Sequence, residues 1–317
     1  MKLKNHRDWK ERIRAARRIL ESCCLCGHRC GVNRIENETG FCQCGSSIKI
    51  SHYLPHFGEE PPITGKKGSG AVFFSGCTMQ CVFCQNYQIS QLGFGHEVYV
   101  EELVNIILEL QSRGCHNINL VSPTPYVPMI IESLYIAQCS GFKLPVVYNT
   151  NGYDSLDTLE LLKGIVDIYL PDFKYGDDAE AVRLSKINNY FETCTAGLVE
   201  MYSQAGSLRC DLEGLGEGGL IVRHLVLPLN LAKSNAILQT LAKLFGSRLC
   251  ISLLSQYRPV FNAHQFSEIN RIIIKEEYDA LVDEIDQLGF EICWIQLNDC
   301  DESFLPDFSK NKPFKFE

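Results

Sequence analysis

The chain has 317 residues, sixteen of them cysteine, and a net charge of −8 at neutral pH. That length suits one large domain with an appendage, or two domains, and an apolar fraction of 45% is enough for a sizeable core. No apolar run is long enough to span a membrane, and the acidic balance argues against general affinity for nucleic acid, though not against a local basic patch.

Residues 1–20 supply such a patch: Lys2, Lys4, Arg7, Lys10, Arg12, Arg14, Arg17 and Arg18 face only Asp8 and Glu11. Trp9, Ile13, Ala16 and Leu20 recur at helical spacing, which predicts an amphipathic helix docked by that side. Its charges are a solvated face, or they bind RNA or an acidic partner. So charged a start is unlike a secretory leader, and a reducing, cytoplasmic setting is expected. There, clustered cysteines read as metal ligands, and scattered ones such as Cys139, Cys194 and Cys250 as buried small apolar side chains.

A first cluster fills residues 21–50. Cys23, Cys26 and Cys30 fall close together, and Cys42 follows across a loop containing Gly31 and Gly40. Four thiolates in this pattern can surround zinc or hold an iron–sulfur cluster, with His28, Cys24 and Cys44 as spare candidates. So few large apolar residues lie here that the segment has little besides a metal to hold it folded. Next, His52, His56, Glu59, Glu60, Pro61 and Pro62 and the run Gly65–Gly70 read as an irregular connector, whose histidines and carboxylates either line a site or are solvated.

An apolar strand at Ala71–Phe74 then leads into Gly76-Cys77-Thr78-Met79-Gln80-Cys81-Val82-Phe83-Cys84. One short loop can bring Cys77, Cys81 and Cys84 to three irons of a single cubane. Such clusters normally take four cysteines, and the next here, Cys115, lies beyond a predicted helix. A site with one position left open is built to react. Buried structural thiols, or zinc, are the alternatives.

From there strand and helix signals alternate: helices over 101–113, 127–139, 156–163, a long stretch to about Gln204, 232–245 and 275–288; strands over 117–121, 145–148, 166–170, 220–227, 248–253 and 291–297. The series predicts an α/β fold, a partial (βα)6-type TIM barrel, with chemistry at the C-terminal strand ends. Those ends carry Ser122 and Thr124, then Asn149 and Asn151, then Asp172, Lys174 and Tyr175, then Arg223 and His224, then Tyr257 and Arg258. The expected division is a basic helix (1–20), a Cys-rich metal-binding segment (21–50), the barrel (51–297) and a tail (298–317).

Over roughly residues 51–297 the chain resembles radical S-adenosylmethionine (SAM) proteins, with Cys77, Cys81, Cys84 and the aromatic Phe83 carrying the match. More narrowly it resembles pyruvate formate-lyase-activating-enzyme-like proteins, through Phe57-Gly58-Glu59-Glu60-Pro61-Pro62, Phe73-Phe74-Ser75-Gly76-Cys77, Cys84–Ser90, and upstream Cys23-x-Leu-Cys26 and Cys30-Gly-Val-Asn-Arg34. The resemblance implies a [4Fe-4S] cluster on Cys77, Cys81 and Cys84, SAM on its fourth iron, and a one-electron donor, a flavodoxin or ferredoxin. It also implies reductive cleavage of SAM to a 5′-deoxyadenosyl radical. The family's second-strand Gly-Gly-Glu is replaced by Val121-Ser122-Pro123-Thr124, leaving the contact to the methionine amino group unassigned. Asn149, Asn151 and Asp172 are candidates for methionine or ribose, Phe83 for adenine, Arg223 for the methionine carboxylate, and Lys174, Tyr257 and Arg258 for substrate. The leading expectation is activation of a partner glycyl-radical enzyme. The alternatives are a radical enzyme for a small molecule or RNA, and a non-catalytic iron–sulfur or zinc protein.

Overall fold

A computed structural model describes residues 6–296 and 305–315. Helix α1 (His6–Arg18) buries Trp9 and Ala16, with Ile13 half-buried against the core and Leu20 buried just beyond its end. The predicted apolar side is therefore the docked one, and Trp9 packs on Tyr135 at 5.7 Å between ring centroids. Residues 22–47 hold little regular structure. Instead they lie across the barrel, through a bridge between Cys26 and Asp154 and a bond from Gly27 N to Tyr153 O at 3.0 Å.

Strand β1 (Ile48–His56) stands where an irregular connector is expected, and it crosses the position at which the Cys-rich segment and barrel would divide. Pro55 and the histidines conceal it in the sequence. Pro55 is tolerated because β3 pairs only with residues 48–50, leaving the rest of β1 one free edge. There follow α2 (Pro61–Thr64), β2 (Ser69–Phe74), α3 (Tyr87–Ser90), β3 (His96–Val98), α4 (Val100–Ser112), β4 (Ile118–Val121) and α5 (Val127–Cys139). Next come β5 (Val146–Thr150), α6 (Leu156–Leu162), β6 (Ile168–Pro171), α7 (Asp178–Ser185), α8 (Tyr190–Ala205) and the short β7 (Arg209–Cys210). Then β8 (Gly216–Leu225), α9 (Ser234–Phe245), β9 (Cys250–Leu254), α10 (Lys275–Gln287) and β10 (Ile292–Ile295) complete the series. The single helical stretch expected before Gln204 is two helices. Lys186 and Asn189 take left-handed backbone (φ 56 and 51), which ends α7 and reorients the chain before α8.

The sheet order is β10-β9-β8-β6-β5-β4-β2-β1-β3, parallel from β10 to β2, with β1 and β3 added antiparallel. The strands are apolar and buried on both faces, as helix-covered parallel strands should be. Strand–helix units starting at β2, β4, β5, β6, β8 and β9, with β10 after them, make the six-unit partial barrel. The order runs from one edge to the other without closing. The tail is part of this architecture: Phe308 and Phe314 pack with Ala71, Phe73 and Val121, the inward residues of β2 and β4. Cys194 and Cys250 are buried as expected, but Cys139 is exposed at the end of α5.

Candidate active site

At the C-terminal ends of the strands lies a cavity of about 210 Å³, into which Cys77, Cys81 and Cys84 all face. The loop that carries them is tied down from several sides. Gln80 N and Val82 N donate to Ser185 O and Leu184 O at the end of α7, Asn262 N donates to Val82 O, and Gln91 Nε2 donates to Cys81 O. Gly76 opens the loop with φ +83, and a Cβ there would lie 2.4 Å from Cys44 Sγ; only glycine lets the Cys-rich segment come so near.

Each sulfur has a polar neighbour of its own. Asn151 Nδ2 donates to Cys77 Sγ (3.3 Å), Ser185 Oγ to Cys81 Sγ (3.0 Å), and Ser90 Oγ lies 3.2 Å from Cys84 Sγ. Burial pushes the Cys77 and Cys84 thiols up, to about 11 and 12, so a partner of positive charge is needed to keep them ionised. No three His, Cys, Asp or Glu side chains among the described residues converge on a single-ion site. Among the described residues no fourth cysteine lines the cavity.

The opposite wall is ionic. Arg223 of β8 donates from Nε to Asp172 Oδ1 (2.8 Å), from Nη1 to Glu59 Oε2 (3.1 Å) and from Nη2 to Asn149 Oδ1 (2.5 Å). Lys174 Nζ donates to Asp172 Oδ2 at 2.6 Å. Burial would raise the Asp172 carboxyl, but Arg223 and Lys174 outweigh it and hold it below the ordinary range. For Lys174 burial works the other way, and Asp172 outweighs it to hold the ammonium above its usual value. Asp172, Lys174 and Arg223 are thus charged near neutral pH. Beneath them Glu60 is buried, with one oxygen unpartnered and its carboxyl raised by burial.

Most of the sequence candidates meet here: Phe83, Ser122, Asn149, Asn151, Asp172, Lys174 and Arg223 all line the cavity with the three cysteines. Three do not. Thr124 lies behind the wall, its hydroxyl donating to Asp154 Oδ1 (2.7 Å) in a buried cluster with Tyr148 and Thr150. Tyr257 is buried with its hydroxyl on Ile269 O, and Gln256 faces the cavity instead of Tyr257 or Arg258. Arg223 lines the cavity, and three of its five N–H donors are taken up by Asp172, Glu59 and Asn149. Of the connector's candidates, His56 and Glu59 line the cavity, whereas His52 bonds Lys310 O in the tail. Sequence reading gave Glu59 no role of its own, although two glutamates before two prolines mark a turn that can present one inward. Phe314, from the tail, carried no signal at all.

A Radical SAM superfamily model matches residues 71–206. A protein of Methanocaldococcus jannaschii, itself uncharacterised, is 32% identical over 293 residues, covering 89% of this chain and 80% of its own length. The chain carries a radical SAM superfamily domain. That domain implies an enzyme with a [4Fe-4S] cluster and SAM, for which the sulfur-lined cavity and charged wall are suited. Among solved structures, Streptococcus suis SuiB bound to its precursor peptide SuiA has a TM-score of 0.49 at 12% identity, over 70% of this chain and 46% of that one. HydG, a maturase of the [FeFe]-hydrogenase, has a TM-score of 0.49 at 12% identity over 92% and 57%. The chain thus spans about half the length of these structures. No described helix of this radical SAM protein is long and apolar enough to cross a membrane.

Proposed function

We propose that this chain binds a [4Fe-4S] cluster through Cys77, Cys81 and Cys84 and cleaves SAM reductively after accepting one electron from a flavodoxin- or ferredoxin-type donor. The observation that carries the reading is one cavity holding three cysteines and, among the described residues, no fourth, faced by a charged network at neighbouring strand ends. The cluster and SAM together supply a 5′-deoxyadenosyl radical able to abstract hydrogen from a C–H bond. Everything else falls to the side chains. Asn151, Ser185 and Ser90 orient the thiolates. Asp172 and Glu59, held by Arg223, offer carboxylate oxygens to the methionine amino group, replacing the missing Gly-Gly-Glu contact. Lys174, whose ammonium has donors beyond its bond to Asp172, takes the methionine carboxylate. Asn149 and Ser122 remain for ribose or methionine, and Phe83 for adenine. The surrounding apolar residues, including Phe73, Val121 and Phe314, exclude water from the radical.

The finer reading is activation of a partner glycyl-radical enzyme, supported by the activating-enzyme-like runs at 57–62, 73–77 and 84–90. A small-molecule substrate is the second reading, favoured by the tail: Phe308 and Phe314 cover the inner face of β2, narrowing the way in for a protein loop.

Anaerobic reduction of the reconstituted protein with SAM should release 5′-deoxyadenosine and methionine, measured by mass spectrometry. If neither forms and SAM leaves the cluster's electron paramagnetic resonance spectrum unchanged, the enzymatic reading fails. Co-incubation with glycyl-radical enzymes of the source organism should give a glycyl radical doublet; its absence with every one of them turns the choice to the small molecule.

A further inference from the structure

We propose that Cys23, Cys26, Cys30 and Cys42 together hold a thiolate-bound metal centre, zinc or a second iron–sulfur cluster, directly behind the radical site. All four line one small cavity, together with Arg34, Phe41 and Thr78. The backbone draws them together: Gly31 N bonds Cys23 O (2.9 Å), Arg29 N bonds Cys26 O (3.0 Å), and Cys23 N bonds Val32 O (3.0 Å). Gly40 brings Cys30 close to the returning strand of the loop, for a Cβ there would lie 2.6 Å from Cys30 Sγ. Four of these thiols in one enclosure, without a disulfide, is a ligand set rather than a core.

Arg34 is the second observation. It is 1% exposed, yet its bonds go to carbonyl oxygens: Nε and Nη2 to Gly45 O and Nη1 to Pro125 O (2.6 Å). No carboxylate pairs with it among the described residues. A buried cation without a counter-charge is costly. Four thiolates on a metal centre carry net negative charge, and the cavity that Arg34 lines is where that charge would sit.

Two metals suit four cysteines: one zinc, or a cubane in which each thiolate bonds its own iron. The two thiol groups share a wall. His28 Nε2 lies 2.9 Å from Thr78 O, in the radical loop, and Cys44 Sγ lies against Gly76. A centre held there therefore fixes the segment on which the radical loop rests.

The test is metal analysis of the full-length protein reconstituted anaerobically, with Mössbauer spectroscopy of iron-57. The Cys77→Ala/Cys81→Ala/Cys84→Ala variant should keep either about four irons and as many sulfides per chain, which assigns a cluster, or about one zinc, which assigns zinc. A Cys30→Ala change in that triple variant, at an exposed position, should then remove or convert the remaining metal. A triple variant that keeps its circular dichroism but holds neither iron nor zinc would overturn the proposal. Failure of the radical reading looks different: a wild type with about four irons, all lost on changing Cys23, Cys26, Cys30 and Cys42.

Discussion

The two cysteine groups differ less in their ligands than in what holds them. Cys77, Cys81 and Cys84 sit on a loop leaving a strand buried on every residue, fastened to α7, Asn262 and Gln91. Cys23, Cys26, Cys30 and Cys42 sit in a segment of turns, with Cys30 exposed and Arg34 lacking a carboxylate partner among the described residues. The fold holds the first loop by its own hydrogen bonds; on the proposal above, the second depends on what it binds. A reactive site needs that pre-built rigidity, because its ligands must leave one position open without collapsing onto it.

Metal removal should break the comparison most visibly. Any of Cys77→Ala, Cys81→Ala or Cys84→Ala should abolish 5′-deoxyadenosine formation, at least about a thousandfold, with the melting temperature little changed. Changing Cys23, Cys26, Cys30 and Cys42 should instead lower the melting temperature and increase proteolysis within residues 21–47. Equal thermal losses from both sets would remove the distinction.

Next in size is the ionic wall. Asp172→Asn strips a charge from between Arg223 and Lys174, and breaking such a partly buried pair costs at most about 3–5 kcal/mol. SAM affinity, read by calorimetry on the reduced protein, should fall with stability. Lys174→Met should weaken SAM binding with a smaller stability loss; if Arg223→Met alone costs affinity, the carboxylate contact belongs to Arg223 after all.

His224 offers a third test, away from both sites. It is fully buried, Nδ1 on Phe173 O (2.7 Å) and Nε2 on Ser234 Oγ (2.8 Å), and burial lowers its pKa to about 4. The unfolded chain protonates near 6.5 while the folded one does not, so stability present above pH 6.5 is lost as pH falls toward 4. The loss approaches about 3 kcal/mol. His224→Gln should flatten denaturant midpoints between pH 4 and 6.5, and an unchanged slope would show that His224 does not set it.

The smallest effect is expected at the tail. Phe314→Ala removes a ring packed at a tilt against His56 and Phe73 at the cavity rim. It should raise the uncoupled yield of 5′-deoxyadenosine by admitting solvent, while leaving iron content untouched.

Much of this was legible from residue order alone. Strand and helix periods, the three-cysteine loop and the polar residues at strand ends depend on spacing within a few positions, and local geometry turns spacing into placement. β1 was hidden because a strand holding Pro55 is recognisable only beside its partners. The break between α7 and α8 was hidden because left-handed backbone at Lys186 and Asn189 has no strong signal in lysine or asparagine.

The amino-acid order by itself determined which side chains stand at each strand end, since alternation and connection length follow from backbone geometry. Only the tertiary structure decided which of them share a cavity. It turned Thr124 toward Asp154, occupied Arg223 with three partners, and brought Glu59 and Phe314 in from opposite ends of the chain. Such assignments depend on how far distant segments approach one another, and that is settled by packing around the whole sheet rather than by any neighbour in sequence.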